Sequence, residues 1–260
     1  MMTFNFKKKL GQHFLIDNAI LEKIVENLDL TNKHVIEVGP GKGNLTEKIL
    51  KKKPSKVYLI EMDRTLEPFL KNIIKKYHLD VKILFQDATK LQLYELINKE
   101  IILVANLPYN IATTLIISWF KYIKCFSSLT VMVQKEVAQR LTAEISSKFY
   151  GRLSVLARLH ANIEKMFDVE PDSFFPKPKV NSSVIRLTPK KVFDFNYEKL
   201  DRTLKICFTH RRKILKNNLR KTPENIKLEK KMRQNNINPY LRPQELSPKD
   251  FINLSEILLY

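Results

Sequence analysis

The chain has 260 residues, of which 44% are apolar and 10% aromatic, so it can bury a sizeable core and is not a disordered polypeptide. It carries 46 Lys and Arg against 27 Asp and Glu, which gives a net charge of +19. An excess of this size indicates a polyanionic partner, most simply nucleic acid. An anionic membrane surface or a lysine-biased genome are the alternatives.

The cysteines and the amino terminus argue against several other classes of protein. Cys125 and Cys207 lie far apart, and neither belongs to a CxxC or Cys/His pattern. We therefore expect no disulfide scaffold and no metal site, and we expect a reducing, cytoplasmic location. Residues 1–15 contain lysines without an apolar stretch, so they predict neither a signal peptide nor an anchor.

A predicted strand at residues 34–38 leads into a glycine-rich loop and then a helix. Gly39, Gly41 and Gly43 allow tight turns and let a ligand lie against bare main chain. The dinucleotide fingerprint would require glycine at position 44, where this chain has Asn44, and the GxxxxGK[ST] phosphate loop is not matched either. The loop therefore predicts a ligand site that is neither a dinucleotide-binding fingerprint nor a phosphate loop.

Further apolar strands are predicted at residues 57–60, 81–85 and 101–105. Because strands alternate with helical stretches, we expect βαβ units and a parallel sheet. Acidic residues near the strand ends, Glu37, Glu61 and Asp87, then collect along one edge. They would repel a pyrophosphate but suit a neutral or cationic nucleoside such as S-adenosylmethionine. Each acid alone is explained equally well as a turn residue or a helix cap.

The fourth strand ends at Asn106, Leu107, Pro108 and Tyr109. The Asn side-chain oxygen and a carbonyl group near the proline offer two acceptors beside a flat ring. This arrangement suits a planar aromatic amine, such as the amino group of a nucleobase. The alternative interpretations are an ordinary turn, or a membrane span over residues 101–120 that the polar residues in its middle make unfavourable.

These motifs, together with the entry sequence GQHFL at residues 11–15, resemble those of the ribosomal RNA adenine N6,N6-dimethyltransferase family. The resemblance implies an α/β fold, with a Rossmann-like class I methyltransferase sheet and a small all-helical C-terminal domain. Glu61 would bind the ribose hydroxyls of S-adenosylmethionine, and Asp87 its adenine amine. The implied methyl-donor site consists of His13, Leu15, Gly39, Gly41, Glu61, Asp87 and Asn106. This chain has His13 where the family often has Asn.

The resemblance also implies which residues hold the target base. Asn106 and the Pro108 region would accept hydrogen bonds from the target amine, and Tyr109 would stack on the base. A proline-rich loop at residues 169–180 resembles the family segment that places a Phe opposite Tyr109, and Phe174 is the better match. The alternative is that Phe174 and Phe175 fill the core.

The final third of the chain is predicted to form a separate domain, which gives domains at residues 1–189 and 190–260. Residues 191–260 contain 16 basic and 8 acidic residues, a net charge of +8. Apolar positions at Leu200, Leu204, Phe208, Leu215 and Leu219 predict one helix face. The cations predicted to bind RNA are Arg211, Arg212, Lys213 and Lys216. The alternative is that these cations lie on a solvent-exposed helix face that does not bind RNA.

This region resembles the small-subunit branch of the family. That likeness implies dimethylation of two adjacent adenosines in the hairpin near the 3′ end of 16S rRNA, within an assembling small ribosomal subunit. It further implies a monomeric protein without metal or membrane association. A DNA adenine methylase, a non-enzymatic assembly factor that keeps the fold, and a nicotinamide oxidoreductase are the rival interpretations.

Overall fold

A computed structural model describes residues 11–96, 100–191, 194–219 and 225–258. The chain divides into two compact units, Met1–Ala138 with Asn162–Pro189 and Gln139–Ala161 with Lys190–Tyr260. One division falls after Pro189, at the predicted boundary. Residues 139–161, assigned from the sequence to the first domain, belong to the second unit.

The first unit is organised around a seven-stranded sheet, and a two-stranded ladder lies beside it. The strands are β1 (Phe14–Leu15), β2 (His34–Val38), β3 (Lys56–Glu61), β4 (Asp80–Phe85), β5 (Ile101–Asn106), β6 (Phe126–Gln134), β7 (Ala161–Val169), β8 (Phe174–Phe175) and β9 (Ser182–Pro189). The helices of the described chain are α1 (Asn18–Glu26), α2 (Asn44–Lys51), α3 (Glu67–Ile74), α4 (Ala112–Phe120), α5 (Lys135–Leu141), α6 (Arg152–His160), α7 (Tyr197–Cys207), α8 (Leu215–Asn218), α9 (Asn225–Gln234) and α10 (Pro248–Ile257).

The strand order of the large sheet is β4-β3-β2-β5-β6-β9-β7. The four predicted strands, β2 to β5, pair in parallel as predicted, β6 pairs in parallel with β5, and β9 runs antiparallel to β6. Strand β7 was not predicted from the sequence. The order reverses at β2, which has β3 on one side and β5 on the other. Open α/β sheets bind ligands outside the carboxyl ends of the strands at such a reversal, so the ends of β2 and β5 mark the expected site.

The central strands form because their apolar residues are buried on both faces of the sheet. In β2 and β5, Val35, Ile36, Leu103 and Val104 have no exposed surface. Continuous β-branched runs of this kind are typical of parallel strands covered by helices. Residues 101–120 thus form a strand followed by a helix. No helix within the described ranges is long and apolar enough to cross a membrane.

Helix α1 begins directly after Asp17, which acts as its N-cap. The Asp17 carboxylate accepts hydrogen bonds from the amides of Ala19 and Ile20, at 3.0 and 3.2 Å. The cap satisfies amides that a helix start leaves without a partner. The helix then buries Leu21, Ile24 and Val25.

In the second unit, the helix predicted through residues 200–219 is interrupted. Helix α7 ends at Cys207 and α8 begins at Leu215. The amide nitrogen of the Asn218 side chain donates to the carbonyl oxygens of His210 and Lys213, at 3.2 and 3.3 Å, and so stabilises the intervening turn. The predicted basic cluster at residues 211–213 therefore lies in a turn and not on a helix.

Candidate active site

The site is built where β2 and β5 end side by side. Gly39 follows β2 with a φ of +73°, and a Cβ atom placed on it would lie 3.4 Å from the main-chain oxygen of Asn106. Its amide donates to the Ile60 carbonyl at 2.9 Å. Glycine is thus suited to this position, since other side chains rarely adopt a positive φ and little space separates the two strand ends.

A cavity of about 290 Å³ opens at this edge of the sheet. Its walls come from the entry segment 11–14, the glycine loop, the ends of β3 and β4, and residues 106–111. The volume is close to the lower end of the roughly 300–1,000 Å³ typical of small-molecule pockets. Six of the seven residues predicted to bind the donor line this cavity, namely His13, Gly39, Gly41, Glu61, Asp87 and Asn106.

Gly41 lies beneath an aromatic ring. It has a φ of +59°, and an added Cβ atom would lie only 2.7 Å from the ring of Phe14. Its amide donates to one carboxylate oxygen of Glu61 at 3.1 Å. Bare main chain at this point therefore permits both the approach of Phe14 and the hydrogen bond to Glu61.

Glu61 is the last residue of β3 and is 8% exposed. Besides Gly41, the amides of Met62 and Asp63 donate to its second oxygen at 2.8 and 2.9 Å. Burial raises the pKa of the Glu61 carboxyl, and these three main-chain hydrogen bonds act in the opposite direction by favouring the charged form. The main chain thus fixes the carboxylate in one orientation at the cavity wall.

Asp87 follows β4 on the same edge. One of its oxygens accepts from the amide and the hydroxyl of Thr89, at 2.9 and 2.7 Å. The hydrogen bond from the Thr89 side chain is the main reason that the pKa of Asp87 lies below its ordinary value. The residue is therefore a charged acceptor beside the cavity.

Asn106 has a defined side-chain orientation. Its Nδ2 donates to the main-chain oxygen of His13 at 3.1 Å. Because the amide nitrogen is held there, Oδ1 is the atom available to accept a hydrogen bond from a ligand.

The structure distinguishes the two carbonyl groups near the proline. The Pro108 carbonyl already accepts from the amides of Ile111 and Ala112, at 3.2 and 3.0 Å, at the start of α4. In contrast, no donor within the described residues bonds the carbonyl of Leu107. Pro108 has no N–H group, so the Leu107 carbonyl is the better placed of the two to accept a hydrogen bond from a ligand.

Tyr109 is held from two sides. Its hydroxyl lies 2.6 Å from that of Ser182, and its ring stacks on His13 with centroids 5.5 Å apart and planes 24° apart. The Nδ1 atom of His13 lies 2.7 Å from the Pro176 carbonyl oxygen, which only accepts, so Nδ1 carries the proton. Burial raises the pKa of the Tyr109 phenol. His13 thereby connects the Tyr109 loop with the proline-rich loop, a contact that sequence reasoning missed.

Two predicted site residues point into the core instead. Phe174 is 2% exposed and Leu15 is 3% exposed, and both belong to the main apolar cluster. They pair across the two-stranded ladder, where Leu15 lies opposite Phe174 and Phe14 opposite Phe175. The prediction that Phe174 presents its ring opposite Tyr109 is therefore wrong for this structure. Leu15 contributes its carbonyl oxygen, which accepts from Asn44 Nδ2 at 2.7 Å.

Glu37 was noted from the sequence only as a strand-end acid. It is 1% exposed and accepts a 2.6 Å hydrogen bond from the Thr46 hydroxyl. Burial raises the pKa of the Glu37 carboxyl to about 8. The side chain is thus predominantly protonated at neutral pH.

The four cations predicted to bind RNA differ in their surroundings. The Arg211 guanidinium donates to Gln244 Oε1 at 3.1 Å, to the Ser147 carbonyl at 2.7 Å and to the Lys148 carbonyl. Lys216 pairs with Glu229 at 2.6 Å. Arg212 and Lys213 are exposed. Arg211 is therefore hydrogen-bonded within its own unit, and its role in RNA binding stays a prediction.

Comparison with known proteins agrees with this geometry. The family model described as "Ribosomal RNA adenine dimethylase" matches residues 3–259. Ribosomal RNA small subunit methyltransferase A of Pelagibacter ubique is 41% identical over 261 residues, covering 97% of each chain. A dimethyladenosine transferase structure from Plasmodium falciparum aligns with a TM-score of 0.81 at 27% identity, over 93% of this chain and 96% of that one.

A second solved structure, the 23S rRNA methyltransferase ErmE, aligns with a TM-score of 0.68 at 23% identity, over 94% of this chain and 99% of that one. At this identity the likeness concerns the fold alone. The cavity suits S-adenosylmethionine, since a glycine loop without side chains, two carboxylates and apolar walls match a cationic nucleoside. The chain belongs to the ribosomal RNA adenine dimethylase family of S-adenosylmethionine-dependent methyltransferases.

Proposed function

We propose that this protein transfers methyl groups to N6 of two adjacent adenosines in the hairpin near the 3′ end of 16S rRNA. The reaction takes place in the cytoplasm, on an assembling small ribosomal subunit, and the protein acts as a monomer without a metal ion. The choice of the small subunit is supported by the name and the 41% identity of the Pelagibacter ubique relative.

The methyl donor is assigned to the cavity at the ends of β2, β3 and β4. Glu61 would accept hydrogen bonds from the ribose hydroxyls, because its carboxylate is already fixed by three main-chain amides. Asp87 would accept from the adenine amine. Gly39 and Gly41 would let the methionine part lie against the main chain. The donor supplies a methyl group that the sulfonium has already activated.

The observation that carries the proposal is the orientation of Asn106. Its Nδ2 is bonded to the His13 carbonyl, so Oδ1 and the Leu107 carbonyl are two fixed acceptors beside the donor cavity. An adenine N6 amine has two N–H groups and a lone pair that is delocalised into the ring. Acceptors that hold both N–H groups favour the tetrahedral nitrogen and thereby free its lone pair for attack. No general base is required, because the methylated nitrogen loses its proton readily.

The target base reaches this position only after it leaves its stack in the RNA. Tyr109 provides a stacking surface that is held in place by Ser182 and His13. A tyrosine ring is neutral in the physiological pH range, and burial raises the pKa of Tyr109 further. A rigid, uncharged ring is suited to positioning the adenine in line with the donor.

The second unit is assigned to RNA recognition. Arg212 and Lys213 are exposed in the turn that follows α7 and would contact phosphate groups. Contacts of this kind add affinity and orient the RNA without reading its sequence. Arg211 would act indirectly, by holding residues 147, 148 and 244 together beneath the turn.

The test is methyl transfer from labelled S-adenosylmethionine to small ribosomal subunits lacking the modification, to free 16S rRNA and to duplex DNA. We expect incorporation into the ribosomal substrate, and mapping should find it on two adjacent adenosines near the 3′ end. Transfer to duplex DNA would instead favour a DNA adenine methylase. RNA binding without any transfer would favour a non-enzymatic assembly factor.

A further inference from the structure

The two-stranded ladder beside the sheet has one buried and one outward face. Phe14 lies opposite Phe175, and Leu15 lies opposite Phe174. Successive residues of a strand point to opposite faces, and residues paired across a ladder share a face. Since Leu15 and Phe174 are buried in the apolar core, Phe14 and Phe175 occupy the other face.

This outward face borders the cavity. Phe14 lines the cavity and lies over Gly41. Phe175 is 56% exposed, and it directly precedes Pro176, whose carbonyl oxygen is bonded to His13. Since His13 stacks on Tyr109, the backbone beside Phe175 is anchored to the loop that carries the proposed target-base contact. A large aromatic ring is thus exposed at the rim of the site.

We propose that Phe175 stacks on the base of the nucleotide adjacent to the target adenosine. This inference rests on the proposed function, because it needs an RNA strand entering the cavity. Phe175 is not among the residues lining the cavity, so it is placed for a neighbouring base and not for the target. A phenyl ring stacks on any base, and the contact is therefore independent of the base identity.

The cations of the same loop suit an RNA partner better than an apolar one. Lys177 and Lys179 are exposed beside the ring, and the chain as a whole carries +19. Lys177 pairs with Asp172, so its charge is partly offset. An aromatic ring next to exposed cations is the usual combination in surfaces that bind single-stranded nucleic acid, where the ring holds a base and the cations hold the backbone.

The adjacent phenylalanines offer a matched pair of variants in the full-length protein. Phe175→Leu should raise the Kd for the substrate RNA, and the KM in methyl transfer, by about 5- to 20-fold, as expected for loss of one stacked base. Phe175→Tyr keeps a ring and should behave as the wild type. Phe174→Leu, made at a core position, should lower the Tm while the folded protein keeps its affinity for RNA.

The contact can be observed directly with 2-aminopurine placed next to the mapped target adenosine, since stacking quenches its fluorescence. Quenching should be present with the wild type and Phe175→Tyr and reduced with Phe175→Leu, with Tm and donor affinity unchanged. If Phe175→Leu shows the same quenching and the same KM as the wild type, the stacking inference is overturned while the proposed function stands. A fall in Tm equal to that of Phe174→Leu would show a structural role instead. Absence of transfer by the wild type would overturn the proposed function and this inference together.

Discussion

At the sheet edge of the first unit, Asn106 is held by a main-chain group and keeps its side-chain oxygen for a ligand, whereas the second unit uses part of its charge internally. Asn106 is bonded through its nitrogen to His13, which leaves Oδ1 as an acceptor. The Arg211 guanidinium, in contrast, has three partners within its own unit. The contrast teaches that the hydrogen-bond partner, and not the residue type, distinguishes a ligand contact from a structural one.

The largest effect should follow from removing the acceptor in the first unit. Asn106→Ala is expected to lower kcat by about 10²- to 10³-fold, the usual cost of losing one preorganised hydrogen bond at a reacting group. Calorimetry should show donor affinity close to wild type, since the cavity walls persist. Asn72→Ala, at an exposed position on α3 outside the cavity, is the control. Turnover at the wild-type rate by Asn106→Ala would contradict the assigned role.

A smaller effect is expected at the donor carboxylate. Glu61→Gln should raise the Kd for S-adenosylmethionine by about 10- to 100-fold, because a charged acceptor of hydrogen bonds is lost. Calorimetry measures this change, and the Tm identifies any loss of folded protein. Glu95→Gln, at an exposed position, is the matched control. Unchanged affinity would rule out Glu61 as a ribose contact.

The neighbouring arginines Arg211 and Arg212 test the comparison within the second unit. Arg211→Ala should lower the free energy of unfolding by about 1 to 3 kcal/mol, because hydrogen bonds to a charged group are lost. Arg212→Ala should leave the Tm unchanged. It should weaken RNA binding and reduce the slope of log K against log salt by about one. If Arg212→Ala lowered the stability and Arg211→Ala weakened RNA binding without lowering it, the contrast between a structural and an RNA-binding arginine would be wrong.

The last prediction concerns the pH dependence of stability and Glu37. The pKa of this carboxyl is about 8 in the folded protein, against an ordinary value of 4.5. The native state therefore holds a proton that the unfolded state releases, and wild-type stability should fall as pH rises from about 4.5 to about 8. Glu37→Gln lacks this titration. The Tm of Glu37→Gln minus the Tm of the wild type should therefore increase as the pH rises from about 4.5 to about 8. A Tm difference that does not change with pH would contradict a buried, protonated Glu37.

The sequence predicted the parts of the site that depend on strands with both faces covered. Apolar runs ending at Val38, Glu61 and Asn106 indicated both the strands and the edge at which their ends meet. The sequence could not show in this way which of Phe174 and Phe175 points into the core. Which ring faces inward is decided by pairing with β1, a two-residue strand too short to show a periodicity.

The second unit shows a different limit. The apolar spacing of residues 200–219 fitted one helix, and Leu200, Leu204, Leu215 and Leu219 are all fully buried. Periodicity could not reveal the interruption, which Asn218 stabilises by bonding carbonyl groups of the preceding turn. Nor could composition show that Arg211 is bonded to residues 147 and 148, since these belong to a segment assigned to the other domain.

The pairing of Phe14 with Phe175 has a consequence for biosynthesis. The segment that carries His13 leaves the ribosome early, but its strand partner β8 is translated much later. A nascent chain that ends before Phe174 already contains β2 to β6, yet it lacks the partner of β1 and the Pro176 carbonyl that His13 contacts. Completion of the methyl-donor pocket therefore follows translation of the proline-rich loop.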